Sequence, residues 1–315
     1  MKVIFLGTPE FGVPALEKIS KYHNVLACVC QPDKIGSRNK IEFCAVKKFA
    51  LEHDIPVFQF EKISRDGVET LKRLAPDIIV TAAYGQILSQ EVIDIAPFGI
   101  INIHGSLLPA LRGAAPIQYA VWQGLTETGI TILKTVKKVD AGAILLQKKL
   151  EILPFETNGE LFERMSLLGA DAVVEALSQI ENGTAKFVEQ DESKATFCSK
   201  ITAEQEHIDW NSSARELTNL VRALNPSPSA WTTIDGKRLK IYKVRPFDKQ
   251  VDRDIDKVES YAPGQVCFVS KKSLAVKCLD GVVFVCELQK ENAKKMDISS
   301  FLCGNKISLG TELGK

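Results

Sequence analysis

The stretch INIHGSLLPALRG, Ile101 to Gly113, sets two polar side chains at the end of an apolar run. On a strand, residues two apart share a face, so Asn102 and His104 stand together while Ile101 and Ile103 pack on the opposite side. An amide and an imidazole side by side make a donor pair for the oxygen charge that develops on a carbonyl under attack. Neither serves as a nucleophile, so the chemistry indicated is acyl transfer without a covalent enzyme intermediate. Such chemistry needs a carboxylate to orient the imidazole or to hold a proton-relaying water. Asp140, in KVDAGAIL, is the candidate: it lies in a loop between apolar strands, just ahead of a glycine that lets another molecule approach the backbone. Spacing alone leaves plainer readings open, a hydrogen-bonded core histidine and an ordinary turn aspartate.

The elements that must position these groups follow from hydrophobic periodicity. KVIFLG, NVLACVC, DIIVTAA and GIINIH read as buried strands, and the periodic segments 13–19, 45–52 and 91–95 between them read as helices. That alternation predicts a doubly wound α/β domain around a parallel sheet. It also puts Asn102 and His104 at the carboxyl end of a strand, where such sheets bind ligands. TGITILKTV and AGAILLQKKLEI follow as a strand pair around the Asp140 loop, and a Thr157–Glu160 capping box opens a helix that runs to Asn182-Gly183. GTPEFG, at the first strand-to-helix junction, matches neither a dinucleotide fingerprint nor a P-loop.

The first domain is placed at 1–187, and the polar, aperiodic stretch 188–209 reads as a linker. Ser213 and Glu216 form a second capping box, and Leu217, Leu220, Val221 and Leu224 give one helix face that NPSP terminates. Short strands joined by Asp-Gly turns then predict a small, roughly five-stranded barrel or sandwich within 210–315. One of its hairpins is basic, with Lys237, Arg238, Lys240, Lys243 and Arg245. Arg238 and Lys240 share a face opposite Leu239 and Ile241, an arrangement that can track phosphates or simply form the wet side of a barrel.

Bulk properties bound the answer. The chain has 315 residues, 45% apolar and 25% charged, enough for two domains of ordinary size. Its 40 basic and 39 acidic residues leave it nearly neutral, so any polyanion-binding surface must come from local segregation of charge. No segment reads as a signal peptide or a membrane span, which predicts a cytoplasmic protein. The eight cysteines are scattered without zinc-type spacing and read as free thiols, with no metal site and no obvious long apolar edge, so a monomer is expected.

GTPEFGVPALEKI, QPDK, AYGQIL, NIHGSLLPALRGAAPIQYAVWQG, TGITI and VDAGAIL, in that order, resemble the formyltransferases that use 10-formyltetrahydrofolate. IDW, VRALNPSPSAWT and LQKENAKKM further resemble the C-terminal domain of the branch that acts on methionyl-tRNA, so the likeness covers nearly the whole chain. The resemblance implies a Rossmann-like domain followed by an OB-like β-barrel. It also implies a catalytic set at Asn102, His104 and Asp140, and folate contacts at Ser106, Leu107, Leu108 and Pro109. The loop DKIGSRNK corresponds to a basic wedge against the acceptor end of the tRNA, with Arg38 as its key residue and Lys34 and Lys40 beside it. Two segments depart from the family pattern. Ala110 and Leu111 precede Arg112 where a basic and an aromatic residue are usual, and Ser227 stands where Trp is frequent.

The expected reaction is therefore formyl transfer to the α-amino group of methionyl-initiator tRNA. One rival is formyl transfer to a small-molecule or sugar-nucleotide amine, which the first domain alone could perform. Another is a noncatalytic RNA-binding protein, which the intact Asn102, His104 and Asp140 disfavour.

Overall fold

The structure, a computed structural model, describes residues 1–35, 41–252 and 258–314. Two compact units divide the chain. The first comprises 1–116, 127–151 and 162–199, and the second 117–126, 152–161 and 200–315. The polar stretch 188–209 is thus shared, its part up to Ser199 grouping with the first unit.

Five parallel strands form the centre of the first unit: β1 (Lys2–Gly7), β2 (Asn24–Cys30), β5 (Val57–Gln59), β6 (Ile78–Ala82) and β7 (Ile100–His104). The continuous apolar runs read from sequence are strands buried on both faces, and every residue of β6 is buried. Two short ladders flank them: β3 (Lys34–Ile35) with β4 (Ile41–Glu42), and β8 (Arg112–Gly113) with β11 (Phe197–Cys198). The strands around the Asp140 loop, β9 (Glu127–Lys134) and β10 (Ile144–Glu151), pair antiparallel and complete a sheet of order β10-β9-β7-β6-β1-β2-β5. The sheet is therefore mixed, with a parallel core and an antiparallel edge.

Helices α1 (Val13–Tyr22), α2 (Ala45–Glu52) and α4 (Gln90–Ile93) lie where periodicity places them. By contrast β5, α3 (Val68–Leu74) and α5 (Pro116–Trp122) have no counterpart in the sequence reading. Helix α6 (Asn158–Glu181) starts as expected: Glu160 Oε2 accepts from the Thr157 amide at 2.8 Å, and the Thr157 hydroxyl accepts from the Glu160 amide at 3.3 Å.

In the second unit, α7 (Ala214–Ala223) carries the full Ser213–Glu216 capping box. It packs with Trp210, Ile241, Val283 and Val285 into a core that also takes in Phe301 of α8 (Ile298–Gly304). The strands β12 (Ala230–Ile234), β13 (Lys237–Pro246), β14 (Val266–Val269), β15 (Leu274–Lys277), β16 (Val282–Lys290) and β17 (Met296–Asp297) form one antiparallel sheet. Its order is β12-β13-β16-β15-β14, with β17 on β16. The turn between β12 and β13 is Asp235-Gly236 with φ of 50° and 69°, the backbone that an Asp-Gly hairpin predicts. Glu312 bridges Gln265 and Leu313 bridges Ile234, so the end of the chain ties the two edges of this sheet together. The barrel is completed by a tail whose sequence gives no strand signal.

All eight cysteines are free. Among the described residues no group of three or more His, Cys, Asp or Glu is placed to hold a metal, and no helix is long and apolar enough to cross a membrane.

Candidate active site

Strand β7 delivers Asn102 and His104 to its carboxyl end, and the turn between β9 and β10 brings Asp140 against them. Asp140 adopts φ 49°, a left-handed conformation that aspartate tolerates better than most residues. Its Oδ2 accepts from the Gly113 amide at 2.9 Å, and its Oδ1 lies 3.4 Å from Asn102 Nδ2. A carboxylate can only accept, so the nitrogen end of the Asn102 amide faces Asp140 and its Oδ1 accepts from the Thr81 hydroxyl at 2.7 Å. One hydrogen of the Asn102 amide is thereby left for a ligand.

His104 is 5% exposed. Its Nε2 lies 3.0 Å from the Leu111 carbonyl, which can only accept, so Nε2 carries the hydrogen. The other nitrogen, Nδ1, stands 3.6 Å from Asp140 Oδ2. Both nitrogens are thus directed at protein groups. The sequence pattern pairs the imidazole with Asn102 as an oxyanion donor and gives Asp140 the task of orienting it; in the structure Nε2 is taken by the Leu111 carbonyl and Nδ1 faces Asp140. Cys198 Sγ donates to the same Leu111 carbonyl at 3.4 Å, and burial pushes its thiol up from its ordinary value.

The Ser106–Pro109 turn is closed from within. Thr131 Oγ1 donates to the Ser106 carbonyl at 2.6 Å and accepts from the Leu108 amide at 3.1 Å, while Gln147 Nε2 donates to the Leu108 carbonyl at 2.9 Å. The Leu108–Pro109 bond is cis. Ser106 and Leu108 are buried, and Leu107 and Pro109 are half-buried, so the last two carry the turn's accessible surface.

The comparisons with known proteins bear on the family and the fold. The profile of the Formyl transferase family matches residues 1–177, and that of the Formyl transferase C-terminal domain matches 200–306. The chain belongs to the formyl transferase family. Among curated relatives it is similar to the methionyl-tRNA formyltransferase of Ruminiclostridium cellulolyticum, 42% identical over 318 residues with all of both chains covered. Among solved structures it is similar to the N-formyltransferase from Helicobacter canadensis in complex with folinic acid and dTDP-3-aminofucose. That likeness has a TM-score of 0.68 at 18% identity and covers 92% of this chain and 100% of that one. It is also similar to HypX from Aquifex aeolicus in complex with tetrahydrofolic acid, with a TM-score of 0.64 at 18% identity. That match covers 96% of this chain but only about half, 47%, of the longer one. At such identities the structural likenesses speak for the fold.

For this formyl transferase-family chain, the groups that brace the site are the ones sequence reasoning missed. Arg112 is 1% exposed. Its Nε and Nη2 donate to Gln190 Oε1 at 3.1 and 2.8 Å, and its Nη1 and Nη2 to the Glu192 carboxylate at 3.1 and 2.8 Å. Gln190 Nε2 in turn donates to the carbonyls of Asp140 and Gly142, both at 2.8 Å. The backbone of the Asp140 loop therefore hangs from a guanidinium all three of whose nitrogens are engaged. Hydrogen bonds from Arg112 and then Lys138 bring the Glu192 carboxyl down to about 2. Thr81 and Gln147 lie inside ordinary strand patterns and Gln190 inside a polar aperiodic run, so none announces itself in the sequence.

The predicted RNA contacts are only partly described. Lys34 is exposed on β3, whereas Arg38 and Lys40 lie outside the described residues. Arg238 lies 4.4 Å above the Trp231 ring and pairs with Glu206 at 3.1 Å, and Lys240 is half-buried beside Trp231 in the β12–β13 register. Leu239 and Ile241 are buried opposite them, as alternation requires. Arg245 is engaged elsewhere, by Asp252 at 2.7 Å and the Phe284 ring at 3.9 Å.

Proposed function

We propose that the protein transfers the formyl group of 10-formyltetrahydrofolate to the α-amino group of methionyl-initiator tRNA, giving N-formylmethionyl-tRNA for translation initiation. The observation that carries this reading is the end-to-end match to a methionyl-tRNA formyltransferase, within which Asn102, His104 and Asp140 converge beside Gly113. The sugar-nucleotide alternative draws on likenesses at 18% identity, which speak for the fold alone.

The geometry supports a division of labour. Asn102 donates its free amide hydrogen to the formyl oxygen as the carbonyl carbon becomes tetrahedral. The Asp140 and His104 Nδ1 pair accepts the proton of the attacking amine and returns it to the folate nitrogen that leaves. One N–C bond forms, one breaks and no group is oxidised. An α-amino group titrates at about 7.7 to 8.0 and an adjacent ester lowers that value, so much of the nucleophile is neutral without a strong base. Leu107 and Pro109 offer the surface of the folate-side turn, and Ser106 and Leu108 keep its shape. Arg38, Lys34 and Lys40 in the first domain and Arg238 and Lys240 in the barrel are the proposed phosphate contacts. In this reading 1–187 is the formyl-transfer domain and 210–315 the RNA-binding barrel of a cytoplasmic monomer, joined by 188–209.

The test is a formylation assay with methionyl-initiator tRNA and, separately, aminosugar nucleotides as acceptors, each with 10-formyltetrahydrofolate. Turnover on the charged tRNA and none on the sugars is expected; the reverse preference overturns the reading.

A further inference from the structure

Apart from the Asn102–His104–Asp140 cluster, the second unit holds a cavity of about 390 Å³ between residues of α5 and α7. Small-molecule sites span roughly 300 to 1,000 Å³, so it has room for one compact ligand. Asn219, on its wall, is only 9% exposed. The Asn219 Oδ1 accepts from Arg222 Nε at 3.0 Å, and its Nδ2 has no hydrogen-bond partner among the described residues. That nitrogen is not one of the fully enclosed unpartnered side-chain atoms, so its hydrogens reach solvent and can donate to an acceptor on a bound molecule.

The rest of the lining sets the chemistry of that molecule. Tyr119 and Trp122 present half-buried rings with centroids 5.6 Å apart and a 54° interplanar angle, a surface suited to a flat ring. Gln205 Oε1 is taken by the Thr202 amide at 2.9 Å, which leaves its NH2 group as a second donor. Arg215 is exposed and forms no ion pair among the described residues, so an anion can be held there. The one acid of the lining, Glu216, is committed to its helix cap, accepting from the Ser213 amide at 2.8 Å and hydroxyl at 2.7 Å. A flat ring with acceptors on its edge and an attached anion describes a nucleotide. Gln123 and Arg215 on the lining are both exposed, so a nucleotide within a chain can enter there without burying its flanking phosphates.

We infer that this cavity is a subsite for one unpaired nucleotide of the substrate RNA, its base against Trp122, its edge on Asn219 Nδ2 and its phosphate at Arg215. The inference rests on the tRNA reading above and adds to it a contact away from the reacting groups. A free mononucleotide has the same chemistry, and the experiment separates the two sources.

Formylation of charged tRNA is compared for the wild type, Trp122→Leu and Arg215→Gln, with thermal unfolding of each as a control. Losing a stacked base contact costs roughly five- to a hundredfold in affinity. The tRNA KM of Trp122→Leu is therefore expected to rise about tenfold, and that of Arg215→Gln, an exposed residue whose replacement leaves packing alone, several-fold. The folate KM and kcat stay put in both. Equilibrium binding of uncharged tRNA and of 5′-AMP is measured on the same proteins. Loss of tRNA affinity in both variants, with no saturable 5′-AMP binding below millimolar concentration, supports the subsite. Tight 5′-AMP binding that Trp122→Leu abolishes, with tRNA affinity unchanged, overturns the RNA assignment in favour of a free nucleotide. Unchanged tRNA affinity and KM in both variants, while the wild type formylates tRNA, overturn the subsite and leave the proposed reaction standing. A wild type that does not formylate charged tRNA sinks the parent reading, and the uncharged-tRNA comparison still decides the subsite.

Discussion

Asn102 Nδ2 and Asp140 Oδ1 face each other at 3.4 Å across 38 residues of chain, a weak contact whose partners are each held firmly by something else. Thr81 fixes the oxygen end of the amide at 2.7 Å, and Gly113 fixes the other carboxylate oxygen at 2.9 Å. The pair is therefore preorganised by its neighbours rather than by itself. An amide that spends little on the carboxylate keeps its donating power for a substrate.

Asn102→Ala removes the proposed oxyanion donor, and such losses cost about 2.7 to 4 kcal/mol, or roughly a hundred- to a thousandfold in kcat. The folate KM should hardly move, because the Ser106–Pro109 turn is built from other groups. Thr81→Val, which only unfastens the amide, should give a smaller fall in kcat. Steady-state kinetics with chemistry rate-limiting decide it, and near-native turnover by Asn102→Ala removes that residue from the mechanism.

Gln190 acts at one remove, since among the described residues its amide hydrogen-bonds the Asp140 and Gly142 carbonyls and Arg112. Gln190→Glu keeps an acceptor for Arg112 but cannot donate to the two carbonyls, whereas Gln190→Ala loses both roles. If Gln190 positions Asp140, the two variants should show similar falls in kcat and similarly displaced pH profiles. Only Gln190→Ala should also lose stability by leaving Arg112 Nε without its acceptor while Glu192 keeps Nη1 and Nη2, by about 1 to 3 kcal/mol. Arg112→Lys should resemble Gln190→Ala, because an ammonium cannot reproduce the fork of a guanidinium.

The Glu192 carboxyl is held at about 2, well under its ordinary 4.5, chiefly by hydrogen bonds from Arg112. A depressed carboxylate contributes stability above its unfolded value and loses it as pH falls toward the folded one. The wild type should thus exceed Glu192→Gln in denaturation midpoint by a constant margin above about pH 5, a margin that shrinks toward zero between about 4.5 and 2. Urea titrations of both proteins across that range measure it. A margin that grows on acidification contradicts the assignment.

Cys44 stands at the N-cap position of α2 without a side-chain cap bond, and the neighbouring Cys30 thiol lowers its titration below the ordinary thiol value, while Cys30 itself is raised. A thiolate is the reactive form of cysteine, so alkylation at neutral pH should label Cys44 ahead of the more exposed Cys303. Cys30→Ala should slow that labelling several-fold. Peptide mapping after brief iodoacetamide treatment checks both, and preferential labelling of Cys303 counts against it.

The catalytic candidates were legible because strand alternation has an unambiguous period: Asn102 and His104 had to share a face, and a strand end had to present them. Both capping boxes were legible for a similar reason, since each is a local pattern with one geometry. The bracing of Asp140 was not. Arg112 figures in the sequence only as the arginine of LPALRG and Gln190 falls in the stretch read as a linker, and the pairing of β8 with β11 brings these residues, 78 positions apart, together. Nor did the sequence show that the barrel closes through Glu312 and Leu313, because two isolated bridges need no strand pattern. Contacts that depend on long-range register leave no local trace.

Gly142 supplies the sharpest steric test of the site. A Cβ there would sit 1.8 Å from the Lys134 carbonyl oxygen and 2.9 Å from its carbon, both backbone atoms of the end of β9 that no rotamer change can move. Gly142→Ala must therefore push the Asp140 turn away from β9, straining the bond from the Lys134 amide to the Ala143 carbonyl at 2.9 Å and the grip of Gln190 on the loop. The expected cost is about 2 to 4 kcal/mol in unfolding free energy, in the range of forced backbone shifts, together with a fall in kcat larger than any change in folate KM. Gly281→Ala is the control: nothing lies within 4 Å of its added carbon, and its effect should stay within about 0.5 kcal/mol. Equal, small losses for both substitutions would mean that the Asp140 loop is not held where its hydrogen bonds place it, and the preorganised carboxylate would have to be abandoned.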